Sequence, residues 1–69
     1  MTTKAGAPDQ VFNPNNKEHK AIVVAAMVAA DVLGAGRLSA AREQLEMNDI
    51  HVADNDDFAR HVFAWGRGI

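Results

Sequence analysis

The sequence predicts an all-α fold, a small three-helix unit that associates with a second copy of itself. Residues 21–33 read AIVVAAMVAADVL, in which Asp31 is the single polar residue, so a helix there is apolar on every side and has to be surrounded by protein. Gly34 and Gly36 follow this run, where a helix ends. A run of acidic residues, followed by aromatic residues at helical spacing, predicts a further helix near the carboxyl end.

The size of the chain favours association. It has 69 residues and no cysteine, so it forms one domain at most, with a marginal core that no disulfide stabilises. The absence of cysteine also excludes thiolate zinc sites and thiol nucleophiles. Many of the apolar residues are alanine, which buries little surface, so we expect a partner subunit to supply the missing stability.

Charge and hydropathy argue against nucleic-acid and membrane partners. The net charge is −2, and no basic stripe runs along any segment. The apolar run over residues 21–33 is shorter than the roughly 20 residues that cross a bilayer. It also lacks the pattern of a signal peptide. We therefore expect a cytoplasmic protein without a membrane partner.

The first ten residues mix threonine, glycine, alanine and proline without periodicity, which is typical of a flexible segment. We predict a flexible N-terminal arm over residues 1–14 and a single helical domain over residues 15–69. Val11 and Phe12 are the apolar anchors with which the arm can pack on the helices or on a neighbouring subunit.

The first helix is predicted over residues 17–34. Asn15, followed three residues later by Glu18, resembles a capping box, and Gly34 has the freedom to end the helix in the left-handed conformation. Alanines four residues apart lie on one side of this helix and let a second helix approach closely. We predict a homodimer that buries this helix at its centre, with an interface formed by Ile22, Ala25, Ala26, Ala29, Val32 and Leu33.

The second helix is predicted over residues 39–48, with Ser39 as its N-cap. In the linker that follows, Ile50 and Val52 alternate with polar residues, so both can point inward.

The third helix is predicted over residues 54–65. Asp54 is a natural N-cap, and the negative charges after it complement the helix dipole. Phe58, Val62 and Trp65 recur at positions i, i+4 and i+7, which places them on one apolar face.

The titratable residues form no catalytic or metal-binding motif. His19, His51 and His61 fall on three different elements, without the spacing of zinc ligands. Asp57 and His61 lie four residues apart on one helix, a spacing typical of a surface pair. The acidic run at 54–57 is explained by helix capping, since it lacks the central glycine and terminal glutamate of a calcium loop. We expect no enzyme activity, metal, cofactor or small-molecule substrate.

The aromatic end of the chain is the strongest indication of a binding role. Tryptophan and arginine are frequent hot-spot residues of protein interfaces. We predict that another protein binds at Arg60, Phe63, Trp65 and Arg67. The predicted function is that of a small non-enzymatic interaction module, an adaptor or inhibitor of the kind that a phage or another mobile element encodes.

Two other functions are compatible with the sequence. A small dimeric DNA-binding transcription regulator could present Lys17, Lys20 and Arg37 to phosphates. Against it, Asp54 and its acidic neighbours at the start of the third helix would repel the DNA backbone. A structural or assembly subunit could pack its first helix between many copies.

Overall fold

The computed structural model describes residues 10–69, and within them the chain has three α-helices and two short β-strands. The predicted three-helix unit is confirmed. Residues 1–9, which make up most of the predicted N-terminal arm, lie outside the described residues. The elements are β1 (Gln10–Val11), α1 (Lys17–Leu33), α2 (Arg37–Met47), β2 (Ile50–His51) and α3 (Asn55–Gly66).

The cap of α1 is Asn16 rather than Asn15. The side-chain oxygen of Asn16 accepts hydrogen bonds from the backbone N–H groups of Glu18 (2.8 Å) and His19 (3.2 Å). The backbone N–H of Asn15 donates to the Asn13 side chain (2.9 Å), so the prediction of a capping box between Asn15 and Glu18 is wrong. At the other end, Gly34 has a φ of +73° and donates its N–H into the last turn, which confirms the predicted left-handed cap.

The start of α2 corrects the prediction for Ser39. The helix begins at Arg37, two residues earlier than predicted, with Gly36 as an N-cap that offers no side chain. Ser39 therefore lies inside the helix. The Arg37 side chain is bonded to Asp31, so this contact joins the first residue of α2 to the end of α1.

The third helix agrees closely with the prediction. The Asp54 side chain accepts a hydrogen bond from the backbone N–H of Asp57 (3.1 Å), which is the expected cap. Phe58 and Val62 are fully buried, as the i, i+4 spacing predicts. Gly66 extends the helix by one residue beyond the predicted end.

The core forms where one side of α1 packs against α2 and α3, while β2 packs against α2. The largest fully buried side chains come from all three helices and include Phe58 on α3, Met27 on α1 and Leu45 on α2. Because a single side of α1 is used, the apolar residues on its other sides are not covered by the described part of the chain. The buried residues of the core are Val23, Ala26, Met27, Ala41, Leu45, Ile50, Phe58 and Val62.

The predicted flexible arm over residues 1–14 is described from residue 10, and its residues Gln10 and Val11 are paired with β2. β1 pairs in parallel with β2, and the N–H of Phe12 then donates to the carbonyl oxygen of His51 (2.7 Å). The Phe12 ring meets Phe58 edge-on at a centroid distance of 5.0 Å. Ile50 is buried beside this pairing, and Val52 packs against the core. This confirms the prediction that both side chains of the linker point inward.

His19 joins this pairing to α1. Its ring is 2% exposed, and its Nδ1 accepts a hydrogen bond from the backbone N–H of Asn13 (3.0 Å). The Nε2–H of the same ring therefore donates to the side-chain oxygen of Gln10 (2.6 Å). Both ring nitrogens are used inside the fold, so His19 is a structural residue that fastens residues 10–13 to the first turns of α1.

Candidate interaction surface

Asp57 and His61, the closest pair of titratable groups that the sequence offers, are used in local contacts. Within residues 10–69 no three histidine, aspartate or glutamate side chains come together as metal ligands would. The Nδ1–H of His61 donates to the backbone carbonyl oxygen of Asp57 (2.9 Å), and the Asp57 carboxylate binds the Arg60 guanidinium (3.0 Å). This arrangement is that of a surface helix pair, as the spacing predicts.

The largest apolar feature of the described surface is one side of α1. The residues of this outer face recur at i, i+4, i+7 and i+11, with a further pair beside them, and all are exposed. Val32 is 81% exposed and Leu33 is 80% exposed, the two highest values among the large apolar side chains described. The outer face consists of Ala21, Ala25, Val28, Ala29, Val32 and Leu33.

A groove of about 470 Å³ runs between α1 and α2, beside the outer face. It exists because both helices present alanine there, which leaves the space between the backbones unfilled. The apolar lining comes mainly from α1 and the turn, and the polar rim comes from α2. The α1 and turn residues are Ile22, Ala25, Ala26, Ala29, Ala30, Leu33 and Ala35, and α2 adds Ala40, Glu43, Gln44 and, at its end, Asn48.

The residues predicted for a dimer interface fall into two groups. Ala25, Ala29, Val32 and Leu33 lie on the outer face, and Ile22 is half-buried at one end of the groove. Ala26 is only 4% exposed and belongs to the core, where it forms part of the groove wall.

The residues predicted to bind another protein lie on two sides of α3. Phe63 is 62% exposed, and the i, i+3, i+7 spacing places Arg60 and Arg67 on its side, so these three form the α3 face. Trp65 lies on the other side of the helix, half-buried, with the Lys20 ammonium 5.3 Å from its ring centroid. Its ring also contacts His61 at 5.6 Å.

A polar clamp joins the ends of all three helices. The Arg37 guanidinium donates two hydrogen bonds to the Asp31 carboxylate (2.9 and 2.6 Å) and a third to the backbone carbonyl oxygen of Gly66 (3.2 Å). A Cβ at position 66 would lie 2.7 Å from a nitrogen of that guanidinium, so a larger residue there would displace the end of the Arg37 side chain. Sequence reasoning missed the clamp because its three members come from separate elements.

The clamp engages one of the cations that the DNA-binding alternative would use. Of the three cations that could face phosphates, Arg37 is bound to Asp31 and Lys20 lies over Trp65. Asp54 and Asp57 are both engaged at the start of α3, where their negative charge complements the helix dipole.

We expect Arg37 to control the titration of Asp31. Its hydrogen bonds hold the pKa of the Asp31 carboxyl below the ordinary value of 3.8. A carboxyl with a depressed folded-state pKa adds stability above its unfolded pKa, and this contribution is lost as the pH falls through the folded pKa, here below 3.8. In an NMR titration, Arg37→Gln should return Asp31 to near its ordinary pKa, while Arg67→Gln should leave the native titration unchanged. Equal Asp31 titrations in the native chain and in Arg37→Gln would contradict the clamp.

Comparisons of the chain with protein-family models, curated proteins and solved structures give no match. Within residues 10–69, none of the helices combines the length and the hydropathy that a membrane crossing requires. The surfaces themselves are therefore the basis for inferring function.

Proposed function

We propose that this chain is a small non-enzymatic protein-interaction module, an adaptor or inhibitor that works as a homodimer and binds a surface of another protein. The observation that carries the proposal is the outer face of α1, which is apolar along its length and whose residues are all exposed in the described part of the chain. A contiguous apolar patch of this kind is typical of a surface that another protein covers.

The energetic argument concerns the large side chains on that face. Val28 is 46% exposed, and Val32 and Leu33 are about four-fifths exposed. Burying a side chain of this type fully stabilises by about 1.5–3 kcal/mol. Three such groups on one helix therefore offer several kcal/mol to an association that removes them from water, which matters for a chain of 69 residues with a small core.

The α3 face supplies a separate contact for the second protein. Phe63 is a large aromatic side chain that the core does not use, and Arg60 and Arg67 flank it on the same side of the helix. An exposed aromatic residue beside arginine is typical of an interface hot spot. Because this face lies on a different helix from the outer face, a homodimer would present two copies of it.

Binding by the α3 face is tested by using the immobilised chain to retain proteins from its source cells. We expect the native chain to retain a specific protein, and Phe63→Ala to weaken its binding by about thirtyfold, the loss that a hot spot of 2 kcal/mol produces. Met47→Ala is the matched control, because Met47 is 69% exposed and lies on α2. Equal retention by Phe63→Ala and the native chain, or no specific retention by either, would contradict the proposed binding role.

A further inference from the structure

We propose that the second copy packs against α1 in the antiparallel direction, with its Val32 and Leu33 entering the end of the groove that Ile22 and Asn48 form. This inference rests on the homodimer of the proposed function and specifies how it is built. It follows from the positions of the projecting side chains, the position of the groove and the charges at the two ends of α1.

Each chain carries both parts of the proposed contact, the projecting side chains and the groove end that receives them, at opposite ends of α1. Val32 and Leu33 project at the carboxyl end of α1, whereas Ile22 and Asn48 line the groove near the amino end of α1. The two ends are separated by about 16 Å along the helix, at 1.5 Å per residue. In a two-fold dimer each patch meets the same patch of its partner, so an antiparallel arrangement places both pairs of projecting residues against both grooves.

The charges of α1 favour the same direction. Its first turns carry Lys17, Glu18 and Lys20, which sum to +1, and its last turn carries no basic residue. The amino end of a helix is the positive end of its dipole and the carboxyl end is the negative one. An antiparallel pair places the lysine-bearing end of one helix beside the carboxyl end of the other, while a parallel pair places like ends together.

The apolar face adds no unpaired charge to this contact. Asp31 is the one acidic residue between positions 21 and 33, and its carboxylate is bound by Arg37 of the same chain. A partner for this surface therefore has to be apolar and narrow. The α1 helix of a second copy has both properties.

The contact area that a stable dimer requires explains why the groove is part of the proposed interface. A stable interface buries about 800 Å² on each partner. The 17 residues of α1 span about 25 Å, a single helix ridge. Insertion of Val32 and Leu33 beside α2 widens the contact beyond that ridge to Gln44 and Asn48, which line the same end of the groove.

The arrangement is tested by disulfide cross-linking, since the native chain has no cysteine. Two single variants are made, Ala21→Cys and Val32→Cys, at the two ends of the outer face. In the antiparallel dimer position 21 lies opposite position 32 of the partner, so a mixture of the two variants should cross-link under mild oxidation and neither variant alone should. Mass spectrometry identifies the mixed product. Met47→Cys, at a position that is 69% exposed on α2, is the control for random collision.

Each other result has a definite meaning. Cross-linking of either variant with itself, above the level of Met47→Cys, would overturn the antiparallel arrangement in favour of a parallel one. A dimer in sedimentation that cross-links in no combination would also overturn the arrangement, while leaving the homodimer in place. A single copy in sedimentation, with the helical circular dichroism of the native chain, would overturn the homodimer itself.

Discussion

Phe58→Ala is expected to destabilise the fold by about 3–5 kcal/mol, the cost of removing a fully buried aromatic side chain. Phe58 is 0% exposed and is the largest fully buried residue of the core, where its ring meets the ring of Phe12. A chain of 69 residues has little stability in reserve. We therefore expect Phe58→Ala to show no cooperative unfolding transition when it is heated from 25 °C.

Phe63→Ala is the matched control for this prediction. It removes the same side chain from the same helix, but Phe63 is 62% exposed and lies outside the core. We expect the free energy of unfolding to change by no more than about 0.5 kcal/mol. Both variants are compared with the native chain by urea denaturation at one protein concentration, because dimerisation makes stability depend on concentration. Similar losses in the two variants would contradict the described core.

Val32→Asp is expected to separate the homodimer into folded single copies. Val32 is 81% exposed in the single chain, so the substitution leaves the fold intact. In the dimer each copy would place one carboxylate in an apolar contact, at a cost of several kcal/mol per charge. The two-fold arrangement doubles this cost, so we expect the dissociation constant to rise by about a thousandfold or more.

The control for this prediction is Val11→Asp, which makes the same change on β1, away from α1. Val11 is 56% exposed and lies at the start of the described chain. Sedimentation velocity should show the single-chain mass of 7.4 kDa for Val32→Asp and twice that mass for the native chain and Val11→Asp. A Val32→Asp variant that remains dimeric, or a Val11→Asp variant that dissociates equally, would contradict an interface on the outer face.

Local chemistry made much of the fold predictable. Gly34 and Asp54 act within one turn of their own positions, so the carboxyl end of α1 and the start of α3 follow from residue type alone. Phe58 and Val62 follow from helical spacing. Ile50 follows from the alternation of the linker, although two residues are too few to predict a strand.

The features that sequence reasoning missed depend on contacts between distant segments. The β1–β2 pairing joins residues 40 positions apart through backbone groups, which leave no pattern in the side chains. The first residue of α2, Arg37, is in contact with Asp31 on α1, a contact that the residues around Ser39 do not indicate. Asn15 and Asn16 are chemically equivalent as caps, so composition could not separate them.

The candidate surfaces were predictable in part. The apolar run over residues 21–33 indicates that α1 has to pack against protein on every side. The side that is left for a partner is known only from the position of the core. The groove arises from alanines on two helices and has no signal in either one. Phe63 and Trp65 are neighbours in sequence, and the two-residue separation turns them to different sides of α3, one exposed and one half-buried.

Whether a second copy packs on the outer face is tested most directly by isotope-filtered nuclear Overhauser spectroscopy on a mixture of labelled and unlabelled chains. The antiparallel homodimer predicts contacts between the Val32 methyl groups of one copy and the Ala21 and Ala25 methyl groups of the other. Methyl groups of Val28 and Val32 that contact water alone, with no signal between copies at millimolar concentration, would contradict the account.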